Sequence, residues 1–316
     1  MVGVSIVVPL YNEEENVARV HTAVVDALAG HDIDYELLFV DDGSKDTTYA
    51  CARAIVALDP RVRVLKFRRN YGQTAAMAAG IDAARGDVVV TMDGDLQNDP
   101  NDIPRLLDLI DGGYDIAIGW RKKRKDGSAR VFISKIANKI IARIMGVEVK
   151  DSGCSLKAYK ASLIQGIPMY GEMHRFIPPL SQLAGARLAQ IEVNHRAREF
   201  GSSKYGFSRI YKVALDIVSI RALLSYAHRP LGWQAWPTAI SFLIGLLCTA
   251  WAIWGHNHSI VVPAGIATLF FSLSIFLMAW ALIGHLFAVL EPEVSRYAAL
   301  SAILSTRLKQ PVLRKS

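Results

Sequence analysis

A chain of 316 residues that is 52% hydrophobic, with a mean hydropathy of +0.23, holds more apolar surface than a soluble domain pair of this length needs. Its 36 Lys and Arg against 29 Asp and Glu leave a formal charge of +7; with no nucleic-acid motif beside it, that excess points to anionic headgroups and phosphates rather than to nucleic acid. Cys51, Cys154 and Cys248 are scattered without metal-type spacing, which argues against a disulfide framework or a cysteine-bound metal.

In chain order, residues 4–10 (Val-Ser-Ile-Val-Val-Pro-Leu) read as a buried strand that opens the fold with no signal peptide before it. A helix is predicted after Tyr11, with Asn12 as its N-cap and Glu15 completing a capping-box pattern. Tyr35 to Val40 is a second strand, ending in Asp41-Asp42-Gly43-Ser44, and a helix follows from about Asp46. The alternation continues with strand 62–67, helix 74–84, strand 88–92, helix 104–110 and strand 114–119. Strands alternating with helices of this length imply βαβ units and a mainly parallel sheet, hence an α/β fold.

The fourth strand runs into Met92-Asp93-Gly94-Asp95-Leu96-Gln97-Asn98-Asp99-Pro100, which places two carboxylates one residue apart. An isolated Asp-Gly-Asp is commonly just a solvated turn. Here three strand ends carry polar or acidic residues, and parallel strands put them on one edge. Pro9 to Glu13, Asp41-Asp42 and Asp93-Asp95 should therefore converge where open α/β sheets bind ligands. Two such oxygen ligands suit a hard divalent cation that takes its remaining ligands from water and phosphate.

Beyond Trp120 the chain turns basic, with Arg121 directly at a strand end and Lys122 to Lys125 equally well explained as a solvated face. Residues 130–145 set Phe132, Ile133, Ile136, Ile140 and Ile144 against Lys135, Lys139 and Arg143, a basic amphipathic helix suited to a membrane surface or to packing on the sheet. Asp151-Ser152-Gly153-Cys154 follows, then a helix near 176–184 and a strand at 189–193. Arg198 to Tyr205 is a Gly-Ser loop with two cations, and 207–228 reads as an interfacial helix.

Leu231 to Trp254 holds no charged residue over 24 positions, and Ile260 to Leu290 none over 31 apart from His285. Each is long enough to cross a bilayer. The link 255–259 has no Lys or Arg, whereas Arg209, Lys212, Arg221 and Arg229 precede the pair and Arg296, Arg307, Lys309, Arg314 and Lys315 follow it. The positive-inside rule then places both termini and the α/β domain on the cytoplasmic side of an inner membrane. His285 sits near the cytoplasmic end of its span, an interfacial position.

Four stretches together resemble a known family. Val7 to Asn16, Val40 to Ser44, Arg69-Asn70-Tyr71-Gly72-Gln73 and Met92 to Gln97 are similar to family 2 glycosyltransferases of the GT-A fold, in particular to the polyprenyl-phosphate glycosyltransferases. The hairpin matches bacterial members, so the resemblance covers nearly the whole chain. It implies a GT-A catalytic domain at 1–205, an interfacial helix at 206–229, a transmembrane hairpin at 230–291 and a basic tail at 292–316. Pro9, Tyr11, Glu13, Asp41, Asp93 and Gln97 would bind the nucleotide. Asp93, Asp95 and Gln97 would hold Mg²⁺ or Mn²⁺, while Arg121, Arg130, Ser134, Arg198, Ser203 and Lys204 would contact lipid phosphate or diphosphate.

The same resemblance implies transfer of one sugar, with inversion, from a nucleotide sugar to a polyprenyl phosphate such as undecaprenyl phosphate. UDP-glucose is the favoured donor, because this hairpin architecture resembles the bacterial glucosyltransferases. Asp93, Asp95, Arg121 and Asp151 are the candidate catalytic residues. A phosphate acceptor is already largely ionised near neutrality, with a second pKa of about 6, so Asp151 is expected to orient groups or balance charge rather than to act as base. A GDP-mannose-dependent mannose synthase and a non-catalytic nucleotide-sugar-binding scaffold are the alternatives. A chain-extending polysaccharide synthase is disfavoured, since Gln-x-x-Arg-Trp and additional spans are missing. A homo-oligomer and a flippase partner are hypotheses only.

Overall fold

The computed structural model describes residues 3–121, 149–167, 169, 171, 173–183, 185–196, 230–254 and 260–290. The expected helix at 130–145, the loop at 198–205, the interfacial segment at 207–228 and the tail lie outside the described residues. Contacts divide the chain into two units, one built on a sheet and one on two long helices.

The sheet has seven strands: β1 (Val4–Leu10), β2 (Tyr35–Asp41), β3 (Val62–Lys66), β4 (Val88–Thr91), β5 (Ile116–Trp120), β6 (Lys157–Lys160) and β7 (Leu188–Glu192), in the order β3-β2-β1-β4-β6-β5-β7. β1, β2, β3 and β4 pair in parallel, as do β5 and β7, whereas β6 runs antiparallel to both β4 and β5. The sequence reading missed β6. Its four residues, Lys-Ala-Tyr-Lys, carry two lysines, yet Lys157, Ala158 and Tyr159 are all buried. A buried lysine in a short strand runs against every composition signal for a core segment.

Apolar residues explain the rest. Ile6, Val7 and Val8 in β1, and all of β2, are buried on both faces, as a central parallel strand requires. Helix α1 (Val17–Leu28) presents Val17, Val20, Val24 and Leu28 to this sheet, and α4 (Ile103–Asp111) presents Ile103, Leu106, Leu107 and Ile110. Helices α2 (Thr48–Leu58) and α3 (Gln73–Ala83) fill the first crossovers. Helix α1 starts after Asn16, not after Asn12. Asn12 takes a left-handed backbone, φ 50, and its N–H donates to Ser44 Oγ while its Oδ1 accepts from Lys45 N–H. The polar turn is committed to cross-loop bonds, so it leaves the helix to begin later.

A buried acid fixes β4 beside β1. Glu36 accepts from Ser5 Oγ at 2.6 Å and Arg85 N–H at 2.7 Å and pairs with Arg63 at 2.7 Å. Burial alone would raise its pKa; these donors outweigh burial and lower it. At Gly86 a β-carbon would stand 2.7 Å from Ser5 N, so the turn before β4 passes too close to β1 for a side chain.

In the second unit, α5 (Pro230–Trp254) and α6 (Val261–Leu290) pack side by side. Ser241 and Ser274 both donate to Phe270 O, and the Phe271 ring lies where a β-carbon at Gly245 would meet it at 2.9 Å. Only 11% and 17% of their apolar spans are buried within the protein, and Trp236, Val261, Leu269 and Ile275 are each more than two-thirds exposed. Such helices need a nonaqueous partner, and by length and composition both can cross a bilayer.

Candidate active site

Parallel β1, β2 and β4 deliver their C-terminal ends to one edge, and reversed β6 brings the residues before it to the same edge. Each expected strand end is found there. Asp42 N–H donates to Leu10 O at 2.8 Å, and Met92 N–H to Val7 O at 3.1 Å. Gly94 sits so close to β1 that a β-carbon would stand 2.5 Å from Leu10 Cδ2 and 3.2 Å from Pro9 O. The loop carrying Asp93 and Asp95 therefore lies against the Pro9–Tyr11 end, and the predicted convergence is present.

Asp41 is fully buried in β2, and its Oδ1 accepts from Ser44 N–H at 3.0 Å while its buried Oδ2 has no hydrogen-bond partner among the described residues. Asp42 turns the other way and takes Tyr71 N–H at 2.7 Å and Gly72 N–H at 2.9 Å. Burial nonetheless pushes its pKa up. Gly43 has φ +67, and a β-carbon there would lie 2.4 Å from Arg69 C, so only glycine lets the two loops meet. Glu13 accepts from Asn16 Nδ2 at 2.6 Å, and its N–H donates to Thr48 Oγ1.

Docking of residues 69–73 on Asp42 delivers Gln73, whose Nε2 donates to Asp93 Oδ1 at 2.7 Å. The sequence reading quoted Gln73 within a motif but gave it no role. Asp95 is buried, and its Oδ1 accepts from Gln97 N–H at 3.1 Å, so Gln97 reaches this acid through its backbone. Leu96 between them has φ 59, a left-handed strain that the surrounding bonds must hold. Burial first, then the neighbouring Asp95 charge, raises the pKa of Asp93; Ser155, Arg121 and Arg175 act in the opposite sense. Asn98 Oδ1 accepts from Ser155 Oγ at 2.7 Å and receives the Asp93 N–H at 3.3 Å.

An acid whose ionisation is opposed by burial and by a neighbouring carboxylate fits a bound cation. Among the described residues no group of three His, Cys, Asp or Glu surrounds a common point. Asp93 and Asp95 offer carboxylate oxygens, which suit an ion that completes its shell from water and phosphate.

On the far side of the acids, Arg121 at the end of β5 grips Asp151 with both ends of its guanidinium, Nε to Oδ2 at 2.8 Å and Nη2 to Oδ1 at 3.1 Å. Burial works to lower the Arg121 pKa, but this pair outweighs it, so Arg121 holds its proton more firmly than usual. Asp151 is thereby an oriented, paired carboxylate. Buried Lys157 donates to Ser152 O at 3.3 Å and His174 O at 3.4 Å, and burial lowers its pKa to about 8. Cys154 beside it is a buried thiol pushed up to about 11 by burial. Among these residues, sequence reasoning missed Ser155, Lys157, His174 and Arg175; no motif marks them, because the tertiary fold alone brings residues 155–157 and 174–175 to Asp93.

A last anchor fastens the segment after β7. Arg196 Nη2 donates to Asp99 Oδ1 at 2.8 Å, Asn194 Nδ2 to Asp99 Oδ2 at 2.9 Å, and Arg196 N–H to Gln97 O at 2.9 Å. Arg196 is thereby held beside the acid loop. Arg198, Ser203 and Lys204, and likewise Arg130 and Ser134, lie outside the described residues.

The family described as Glycosyl transferase family 2 matches residues 5–167. A dodecaprenyl-phosphate galacturonate synthase of Rhizobium johnstonii is 46% identical over 234 residues, which is 72% of this chain and 68% of that one. Among solved structures, glucosyl-3-phosphoglycerate synthase from Mycobacterium tuberculosis, in complex with Mn²⁺, UDP-glucose and phosphoglyceric acid, superposes with a TM-score of 0.54 at 19% identity, over 68% of this chain and 77% of that one. Mannosyl-3-phosphoglycerate synthase from Rubrobacter xylanophilus gives 0.55 at 16% identity, over 70% and 74%. At those identities the likeness is one of fold, and the fold is the GT-A arrangement expected from the sequence.

Proposed function

The chain belongs to glycosyltransferase family 2, and from that premise we propose that it moves one sugar from a nucleotide sugar to a polyprenyl phosphate at a membrane surface. One observation carries the reading: the acid pair Asp93 and Asp95 lies at the middle of the sheet edge, between Asp41 on one side and the Arg121–Asp151 pair on the other. The relative from Rhizobium, named for a dodecaprenyl-phosphate product, supports the lipid acceptor. The two exposed apolar helices support the membrane, with the catalytic domain and both termini on its cytoplasmic side.

In this proposal Pro9, Tyr11, Glu13 and Asp41 take the base and ribose, and the buried Asp41 Oδ2 accepts from a nucleoside donor group. Asp93, Asp95 and Gln97 hold Mg²⁺ or Mn²⁺. A divalent ion there neutralises charge gathering on the departing diphosphate. Gln73 and Asn98 keep the acid loop in register by fixing Asp93. The acceptor phosphate needs no base to attack, so Asp151 orients Arg121 and keeps it charged while the phosphate displaces the diphosphate in line, with inversion. In the same proposal Arg198, Ser203 and Lys204 contact the diphosphate, and Arg130 and Ser134 the lipid phosphate.

For the donor, the hairpin resemblance favours UDP-glucose, whereas the Rhizobium relative's name favours a nucleotide-linked galacturonic acid; GDP-mannose is the third candidate. The test is transfer of radiolabelled sugar from each donor into an organic-extractable lipid by purified protein with undecaprenyl phosphate and Mn²⁺. Lipid label from one donor, abolished by chelator, is expected. A folded protein that binds nucleotide and labels no lipid from any donor would overturn the reading in favour of a binding scaffold.

A further inference from the structure

The first two residues of α3 reach two different parts of the site. Gln73 donates to Asp93 Oδ1 at 2.7 Å, whereas Thr74 Oγ1 donates to Gly171 O at 2.6 Å and lies 2.7 Å from His174 Nδ1. A carbonyl only accepts, so the single hydroxyl proton of Thr74 goes to Gly171, and the His174 ring must carry hydrogen on Nδ1 and donate it to Thr74. Thr74 and His174 are both buried. Gly171 takes a left-handed backbone, φ 54, two residues ahead of the 3₁₀ turn Met173–Arg175. One hydroxyl therefore grips that turn at its entry and at its middle.

The bonds continue beyond the turn. His174 O accepts from Lys157 Nζ at 3.4 Å, and the same amine donates to Ser152 O at 3.3 Å, in the loop where Asp151 pairs with Arg121. Turn and loop meet at Gly153, where a β-carbon would stand 3.3 Å from Arg175 Nη1 and 3.4 Å from Arg121 Nη2. A chain of bonds thus runs from α3 through His174 and Lys157 to the residues proposed to face the acceptor. Docking of the helix does not need its first link. Ala76, Met77, Gly80 and Ile81 are buried, and Gly80 lies so close to β1 that a β-carbon would stand 2.3 Å from Val7 Cγ1. That apolar face holds α3 on the sheet, and Thr74 adds position rather than adhesion.

We propose that Thr74 is a positioning residue for the transfer: acting through His174, it sets where the Met173–Arg175 turn and the Asp151–Gly153 loop stand relative to Asp93. The inference rests on the acceptor reading given above. Gln73 fixes Asp93 from the adjoining position, so acid and turn take their register from one helix start. The loop ahead of that start is itself anchored on Asp42 through the Tyr71 and Gly72 N–H groups. In-line displacement requires the acceptor oxygen to be aligned with the bond from sugar to diphosphate, and a misplacement of about 1 Å can cost a hundredfold in rate. Neighbouring side chains on one docked helix hold both partners of that alignment to a common reference.

The test compares, in the full chain, Thr74→Val, which keeps the shape and removes the hydroxyl, with Thr74→Ser, which keeps the hydroxyl. His174→Phe breaks the same bond from the other side and serves where Thr74→Val does not fold. Initial rates are measured separately against donor and polyprenyl phosphate, and binding of UDP with Mn²⁺ and of a short-chain isoprenyl phosphate is followed by thermal shift. Thr74→Val and His174→Phe should each lower kcat/KM for polyprenyl phosphate roughly tenfold to a hundredfold and leave UDP stabilisation unchanged. The double variant should be no worse than either single one, because both remove one shared bond, and Thr74→Ser should recover most of the rate. Wild-type kinetics in Thr74→Val with only a lower melting temperature, or a loss of UDP binding equal to the loss against the lipid, overturns the positioning role while the transferase reading stands. A wild-type protein that labels no lipid from any donor removes the transferase reading instead, and the positioning role then stands if Thr74→Val weakens the isoprenyl phosphate shift and falls if it does not.

Discussion

The two halves of the ligand edge are built by different means. The half at β1 and β2 is assembled from consecutive motifs: Asp41 and Asp42 end one strand, the Arg69–Gln73 loop follows within one crossover, and backbone N–H groups make most of the bonds. The half at β5 and β6 needs a reversed strand and partners as distant as Thr74 and His174, and charged side chains make its decisive contacts. A nucleotide presents the same base, ribose and diphosphate to every enzyme that uses it, so a compact local motif suffices. An acceptor varies, and the half proposed to meet it is put together by tertiary contacts.

Changes should respect that division. Asp95→Ala strikes the centre shared by both halves and is expected to lower transfer by roughly a thousandfold, the scale of losing a metal that neutralises a leaving group. Its melting temperature should stay close to wild type, which separates chemistry from folding. Gly43→Ala breaks the nucleotide half alone. It forces a side chain into a left-handed residue and against the Arg69 backbone, and should cost about 2–4 kcal/mol in chemical denaturation together with weakened UDP binding.

Lys157→Met breaks the acceptor half alone, and a severalfold rise in acceptor KM at unchanged UDP affinity is the expected result. The change also has a pH signature. Burial lowers Lys157 from 10.5 to about 8, so between those values the unfolded chain binds more protons than the native one. This group therefore makes stability rise with pH across that window. Denaturation curves at pH 7 and pH 10 should show that rise in the wild type and a smaller one in Lys157→Met; equal slopes would mean that Lys157 is not buried as a cation.

The contrast also explains what was legible beforehand. The six parallel-paired strands β1 to β5 and β7, the helices between them and the acid loop all follow from β-branched runs, helix spacing and strand-end polarity. Asp41, Asp93, Asp95 and Arg121 follow from strand-end polarity and Asp151 from the family resemblance, and the structure brings them to one edge. The start of α1 was misplaced because Asn12 bonds across to Ser44 and Lys45 instead of capping. Strand β6 was invisible because Lys157 is buried through bonds to the Ser152 and His174 carbonyls and Lys160 is paired with Asp115, circumstances with no local trace. Arg175 was missed for the same reason: a basic residue in a short turn says nothing until Gly153 is seen beside it.

The central claim is that Asp93 and Asp95 form a metal-dependent nucleotide site. Isothermal titration of UDP into the purified full chain, with Mn²⁺ and then with excess chelator, tests it most directly. Binding that requires the metal, and that disappears in Asp95→Ala, is the result this account expects. Equal UDP affinity with chelator present, or in Asp95→Ala, would contradict it.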